Sequence, residues 1–120
     1  MQDFQKLLVW QRAHALALDV DRVLRRAPRN RQTAVGAQLR RSADSIATNI
    51  VEGCGAASQR EFARYLDISI KSSSETEYHV LSARDRGMIS QLDYERLTDE
   101  IVQIRRMLYA LRRRILSKAL

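Results

Sequence analysis

The 120-residue chain has a single cysteine, Cys54, which excludes an internal disulfide and suits a reducing compartment. It has one proline, Pro28, and four glycines, at 36, 53, 55 and 87, so long stretches run without a helix breaker. Aromatic residues are only 6%, too few for rows of base-stacking platforms. No apolar run approaches the ~20 residues that span a membrane. The opening "MQDFQKLLVWQRAH" brings Asp3 and Lys6 too early, and its apolar run is too short, for a signal peptide. A cytoplasmic protein is expected.

Motifs of chemistry are also scarce. No P-loop, G-x-G-x-x-G or C-x-x-C pattern occurs. A di-iron bundle needs two Glu-x-x-His motifs, whereas this chain has two histidines, His14 and His79. Glu75 and His79 stand four apart and read as an i, i+4 ion pair. Cys54 lies between glycines, far in sequence from either histidine, and reads as a small buried or turn residue. No enzyme, metal or cofactor is expected.

What is present is helical periodicity. Hydrophobic residues are 45% and charged residues 29%, a globular balance in a chain of single-domain length. Val9, Ala13, Leu16, Val20 and Val23 repeat at 4, 3, 4, 3 in a helix over about 6–26. Pro28 and "RNRQT" end it. Val35, Leu39, Ala43, Ile46 and Ile50 mark a second helix from about Thr33 to Glu52, with Gly53 or Gly55 as a left-handed stop. Ser58 and Glu61 form an S-x-x-E capping box for a third helix that runs to about Arg86, closed by Gly87. Ser90 and Asp93 open a fourth, whose stripe is Leu97, Ile101, Ile104, Leu108, Leu111 and Ile115. The pattern predicts an all-α, antiparallel up-down-up-down four-helix bundle over residues 1–120. Apolar residues beyond the core set, Leu7, Trp10 and Leu18 on helix 1 and Val102, Tyr109 and Leu116 on helix 4, predict a homo-oligomer.

One stripe is polar. Ser42, Ser45, Asn49 and Glu52 share a face of helix 2, while helix 3 is small and polar through "DISIKSSSETEYH". Counting back from the "CGAAS" turn sets Glu52 near Phe62, Asn49 near Tyr65, Ser45 near Ser69, and Ser42 near Ser72 and Ser73. A structural polar network of Ser42, Ser45, Asn49, Glu52, Tyr65 and Ser69 would fix helix register, since a slip leaves buried donors unpaired at ~1–3 kcal/mol each. The alternative is a polar pocket at the Glu52–Gly55 turn.

The formal charge is +7, and lysine stands only at 6, 71 and 118, so arginine supplies nearly all of the basic residues. Guanidinium forks bind phosphate, although GC-rich codon usage yields the same bias. Arg22, Arg25, Arg26, Arg29 and Arg31 surround the helix 1–2 turn, with Arg40 and Arg41 beyond it. Arg105, Arg106, Arg112, Arg113, Arg114 and Lys118 lie on helix 4, where no acid follows Glu100. These are the candidate RNA or DNA contacts. A solvated face is the alternative, aided in helix 4 by cations suiting the C-terminal dipole.

The segments "LLVWQRAHALAL", "QLRRSADSIATNIVEGCG" and "SQREFARYLDISIKSSSETEYHVLSARDRGMIS" together resemble the bacterial four-helix-bundle family encoded in intervening sequences of 23S ribosomal RNA genes. Matching positions include Val9, Trp10, Gln11, Arg40, Arg41, Ser45, Ile46, Asn49, Ile50, Glu52, Gly53, Glu61, Phe62, Glu75, Glu77 and Gly87. Ala47 and Lys71 stand where members often carry Pro and Gly, which implies straighter helices. The resemblance implies a ring, with a pentamer favoured. It also implies kinship with accessory proteins of diversity-generating retroelements, which bind nucleic acid and a reverse transcriptase, and no known catalytic activity. The functional expectation is a basic bundle that binds nucleic acid or a ribonucleoprotein, with a protein-only adaptor ring as the alternative.

Overall fold

The structure is a computed structural model that describes residues 2–28 and 34–119. A 3-10 turn, Phe4–Lys6, precedes four helices: α1 (Leu8–Arg25), α2 (Ala34–Cys54), α3 (Gln59–Asp85) and α4 (Gln91–Lys118). No strand occurs among the described residues. The expected start of the second helix at Thr33 lies outside them. The first helix begins later than its periodicity implied, because Leu7 is extended (ψ 121°) and separates the 3-10 turn from α1.

Each helix packs on its neighbour in sequence, and α4 closes against α1. Cross-helix pairs give the directions. Arg12 meets Glu100 and Asp19 meets Arg96, so numbers rise on α1 as they fall on α4. Asp21 pairs with Arg40 of α2, while Asp67 and Glu77 of α3 pair with Arg112 and Arg105 of α4. The result is an elongated antiparallel bundle of 51 × 20 × 20 Å.

The 4, 3 stripes form the core. Every stripe position of α1 and α4 is buried, as are Leu39, Ala43, Ile46 and Ile50 of α2, whereas Val35 is half-buried. Helix ends follow local chemistry. Ser58 Oγ accepts from Glu61 N–H at 3.1 Å, and the Glu61 carboxylate accepts from Ala57 N–H at 3.3 Å. Ser90 Oγ accepts from Asp93 N–H at 3.1 Å. At the end of α3, Gly87 takes φ 73°, and Met88 N–H reaches back to Ala83 C=O at 2.9 Å in a Schellman closure.

Gly53 and Gly55 are not left-handed stops: among the described residues only Gly87 has positive φ. Gly53 lies inside α2 and is buried. A Cβ there would stand 2.7 Å from Phe62 Cδ1 and 3.2 Å from Tyr65 Cβ, so glycine permits α3 to approach. A Cβ on exposed Gly55 would meet nothing closer than 3.7 Å.

Of the surplus apolar residues, Leu18 and Tyr109 are exposed, while Leu7, Trp10, Val102 and Leu116 are half-buried. Trp10 stacks on His14 at 4.9 Å and meets Phe4 edge-on. Leu8, Ile68, Tyr78 and Leu92 are further exposed apolar side chains that the spacing did not single out.

Helix propensity alone favours alanine over glycine by ~1 kcal/mol. Overlap with the Phe62 ring reverses that sign at one position. Gly53→Ala is expected to lower unfolding free energy by ~1–3 kcal/mol, and Gly55→Ala to leave it within ~0.5 kcal/mol. Urea unfolding followed by circular dichroism checks both.

Candidate functional site

The polar seam forms, with Gly53 against Phe62 and Ser69 against Ile46, each within a residue of the expected register, but the hydroxyl pairs differ from the expected ones. Ser45 Oγ lies 2.8 Å from Ser72 Oγ rather than opposite Ser69, and Ser42 meets Thr76 at 3.0 Å rather than Ser72 or Ser73. Ser69 donates to the Ile46 carbonyl at 2.8 Å. Asn49 reaches Ser45 on its own helix, donating to its carbonyl at 2.8 Å and lying 3.0 Å from its Oγ, so it braces the seam without crossing it. Glu52 is exposed and Tyr65 half-buried, and neither takes part in these hydrogen bonds. Counting from the turn placed the helices to within a residue but did not resolve which hydroxyls on neighbouring turns pair.

Buried hydroxyls also donate back onto their own helix, whether or not they meet a partner across the seam. Ser73 donates to Ile70 C=O at 2.6 Å and Ser42 to Leu39 C=O at 3.1 Å. Small side chains here let α2 and α3 approach while each polar atom keeps a partner.

A cavity of about 530 Å³ does open at the α2–α3 turn, lined by Gly53, Cys54, Ser58, Phe62 and Lys118 among others, with Glu52 outside it. Burial pushes the Cys54 thiol above its ordinary range, and the Asp3 carboxylate adds to the shift. The thiol is therefore a poor nucleophile, and neither histidine lines the cavity. His79 is buried, with Nε2 3.7 Å from Glu75 Oε1. No cluster of three or more His, Cys, Asp or Glu suited to a metal ion occurs among the described residues.

The arginines divide by what they touch. Around the end of α1, Arg25 pairs with Asp21 at 2.7 Å, Arg26 approaches Asp93 at 3.8 Å, and Arg40 pairs with the same Asp21 at 2.9 Å. Arg22 pairs with Asp19 at 3.2 Å. Arg29 and Arg31 lie outside the described residues. Arg41 is exposed and makes no ion pair among the described residues. Arg96, absent from the sequence-based set, bridges Asp19 and Asp93. These hydrogen bonds raise the pKa of Arg96, and the bond to Glu100 raises that of Arg12.

On α4, Arg105 pairs with Glu77 at 2.7 Å and Arg112 with Asp67 at 2.5 Å, stitching α4 to α3. Arg106, Arg113 and Arg114 are exposed and enter no ion pair among the described residues. Spacing alone could not separate them, because the separating partners lie on α3.

These features define the class: a small antiparallel helical bundle with a hydroxyl seam and a partly neutralised arginine surface. The chain belongs to the family of 23S rRNA-intervening sequence proteins, whose profile matches residues 5–110. The crystal structure of a protein with unknown function from the S23 ribosomal protein family of Bacteroides thetaiotaomicron VPI-5482 has the same fold, with a TM-score of 0.80 at 24% identity. The match covers 87% of this chain and 97% of that one. No curated protein matches. Among the described residues no helix is long and apolar enough to cross a membrane.

Two substitutions separate structural from free arginines. Arg112→Gln should cost ~0.2–1 kcal/mol of stability, the range for a partly exposed pair, while Arg113→Gln should leave the melting temperature unchanged. In the seam, Thr76→Val should cost ~1 kcal/mol through loss of its hydroxyl. Thermal melts at low and high salt check the set: the Arg112 effect should shrink in salt and the Thr76 effect should not.

Proposed function

We propose that the protein is a non-enzymatic, homo-oligomeric bundle that binds nucleic acid, alone or in a ribonucleoprotein, through the phosphate backbone. The observation that supports this is the free arginine group on α4. Arg106 and Arg113 stand two turns apart on its outer face, roughly 10 Å along the axis, and Arg114 adjoins them. No acid follows Glu100 in this helix to offset them. Exposed forks without internal partners keep their donors for phosphate oxygens. Few aromatics lie nearby, so backbone contact with weak sequence preference is expected. Symmetric assembly would repeat the group around a ring, and five subunits is the number that the family resemblance implies. A free, buried cysteine suits a cytoplasmic setting.

A protein-only adaptor ring is the second reading. It is favoured by the opposite end of the bundle, where Arg22, Arg25, Arg26 and Arg40 are each engaged by Asp19, Asp21 or Asp93 rather than free.

Salt titration of fluorescent RNA and duplex DNA by anisotropy tests the choice. Binding should weaken steeply with salt. Arg106→Gln, Arg113→Gln and Arg114→Gln together should flatten the log–log slope by about two to three units per engaged subunit. Arg112→Gln should leave the slope unchanged. An absence of binding at low salt, with the oligomer intact, supports the adaptor ring instead.

A further inference from the structure

Met107, Ala110 and Arg114 follow one another at 3 and 4 on α4 and share the face that borders α1. With Leu7, Leu8 and Leu111 they line a groove of about 250 Å³. Its floor is aliphatic apart from the Met107 thioether, and Leu8, 59% exposed, forms its lip. Arg114 supplies the polar side chain, exposed and in no ion pair among the described residues.

The groove is short and its surroundings are basic. Towards the middle of the bundle it ends at Arg12, whose Nη1 lies 3.5 Å from Met107 Sδ and whose Nε donates to Glu100 at 3.1 Å. The next hollow along the same two helices is lined by Asp19, Asp99 and Glu100. Towards the other end the acids stop: α1 holds none before Asp19 and α4 none after Glu100. Lys6, just ahead of Leu7, and Arg106 and Arg113, on the adjoining face of α4, are exposed and enter no ion pair among the described residues.

These limits select the occupant. Unpaired guanidinium groups favour an anionic partner. The hollow is smaller than the ~300–1,000 Å³ of sites for drug-sized ligands. An amphipathic helix needs a groove that takes anchors at i, i+3, i+4 and i+7. Here the apolar run stops at the Arg12–Glu100 pair, and carboxylates line the hollow beyond it. A membrane surface takes apolar groups that project, whereas this floor is recessed, with Leu111 buried and Leu7 and Met107 half-buried. A flat ring carried on a chain of phosphates meets both the charge and the size. Duplex bases present only their edges in the grooves. An unpaired base has its face free to stack on aliphatic side chains, a thioether or a guanidinium plane.

We propose that this groove holds an unstacked base of single-stranded nucleic acid, with Arg114 lying over the ring and Arg106 and Arg113 holding neighbouring phosphates. The free arginines of α4 then divide by role, one against a base and two against the backbone. Met107 adapts its shape to a purine or a pyrimidine. The lining side chains other than Arg114 are apolar and read no base edge, so the site tolerates any sequence. This assignment rests on the nucleic-acid reading above and narrows it to single strands.

Removing the bases while keeping the phosphates tests it. A short fluorescent single-stranded DNA is compared by anisotropy with the same strand built from abasic sites. The intact strand should bind roughly fivefold more tightly, the lower end of what stacking one base contributes. That gap should persist as salt rises, because stacking releases no counterions, while both affinities fall. Arg114→Lys keeps the charge and loses the planar fork, and Leu8→Ser removes the lip; each should close most of the gap. Both positions are exposed, so the fold should stand. Arg106→Gln with Arg113→Gln should weaken both strands alike and leave the gap. The Met107 methyl resonance should move upfield under the ring current of the intact strand and stay in place with the abasic one. No binding of either strand at low salt would overturn the nucleic-acid reading and this site together. Equal affinity for the two strands, a gap that survives Arg114→Lys and Leu8→Ser, or an unmoved Met107 methyl would overturn this site while leaving phosphate binding standing. A peptide rich in glutamate and leucine that moves the Met107 methyl where the intact strand does not would give the groove to a protein partner and overturn the site as well.

Discussion

Everything in this bundle depends on how closely α3 can lie against α2. Gly53 admits the Phe62 ring where any side chain would overlap it. Further along the seam, Ser42, Ser45, Ser69, Ser72 and Thr76 are narrow enough to sustain the approach and polar enough to make it selective. An apolar seam of the same width would tolerate sliding. Here a slip of one turn separates Ser45 from Ser72 and Ser42 from Thr76, leaving buried hydroxyls without cross-helix partners.

That register governs the electrostatics of the surface. With α3 fixed, Asp67 meets Arg112 and Glu77 meets Arg105. On the other side of the bundle, Glu100 holds Arg12, and Asp19 with Asp93 holds Arg96. Paired guanidinium groups act chiefly as clamps between helices. Those that turn outward from α4, namely Arg106, Arg113 and Arg114, keep their full hydrogen-bonding capacity. The positive charge of the chain is thus larger than its free positive surface, and a count of arginines overstates the latter.

The core was legible because its signal is local and redundant. Six positions on α4 repeat at 4, 3, 4, 3, 4, and every one is buried. Ser58, Ser90 and Gly87 were legible for the same reason, since capping chemistry acts within four or five residues. The seam was only half legible. Its residue types were evident, but serines at 69, 72, 73 and 74 offer several pairings of similar quality on neighbouring turns. Gly53 was misread for a related reason: a glycine near a helix end signals either a left-handed turn or a close neighbour, and only the position of Phe62 distinguishes these. The division of the arginines was not legible at all. Asp67 and Arg112 are 45 positions apart, and no periodicity links them.

The arginines form two populations, one engaged in ion pairs and one exposed without them, and the proposed function assigns phosphate contact to the second. Side-chain Nε–Hε resonances of arginine report on each directly. On titration with a short single-stranded RNA at low salt, the resonances of Arg106, Arg113 and Arg114 should shift, while those of Arg12, Arg96, Arg105 and Arg112 stay in place. Shifts concentrated at Arg105 and Arg112, or spread evenly over both populations, would contradict the account.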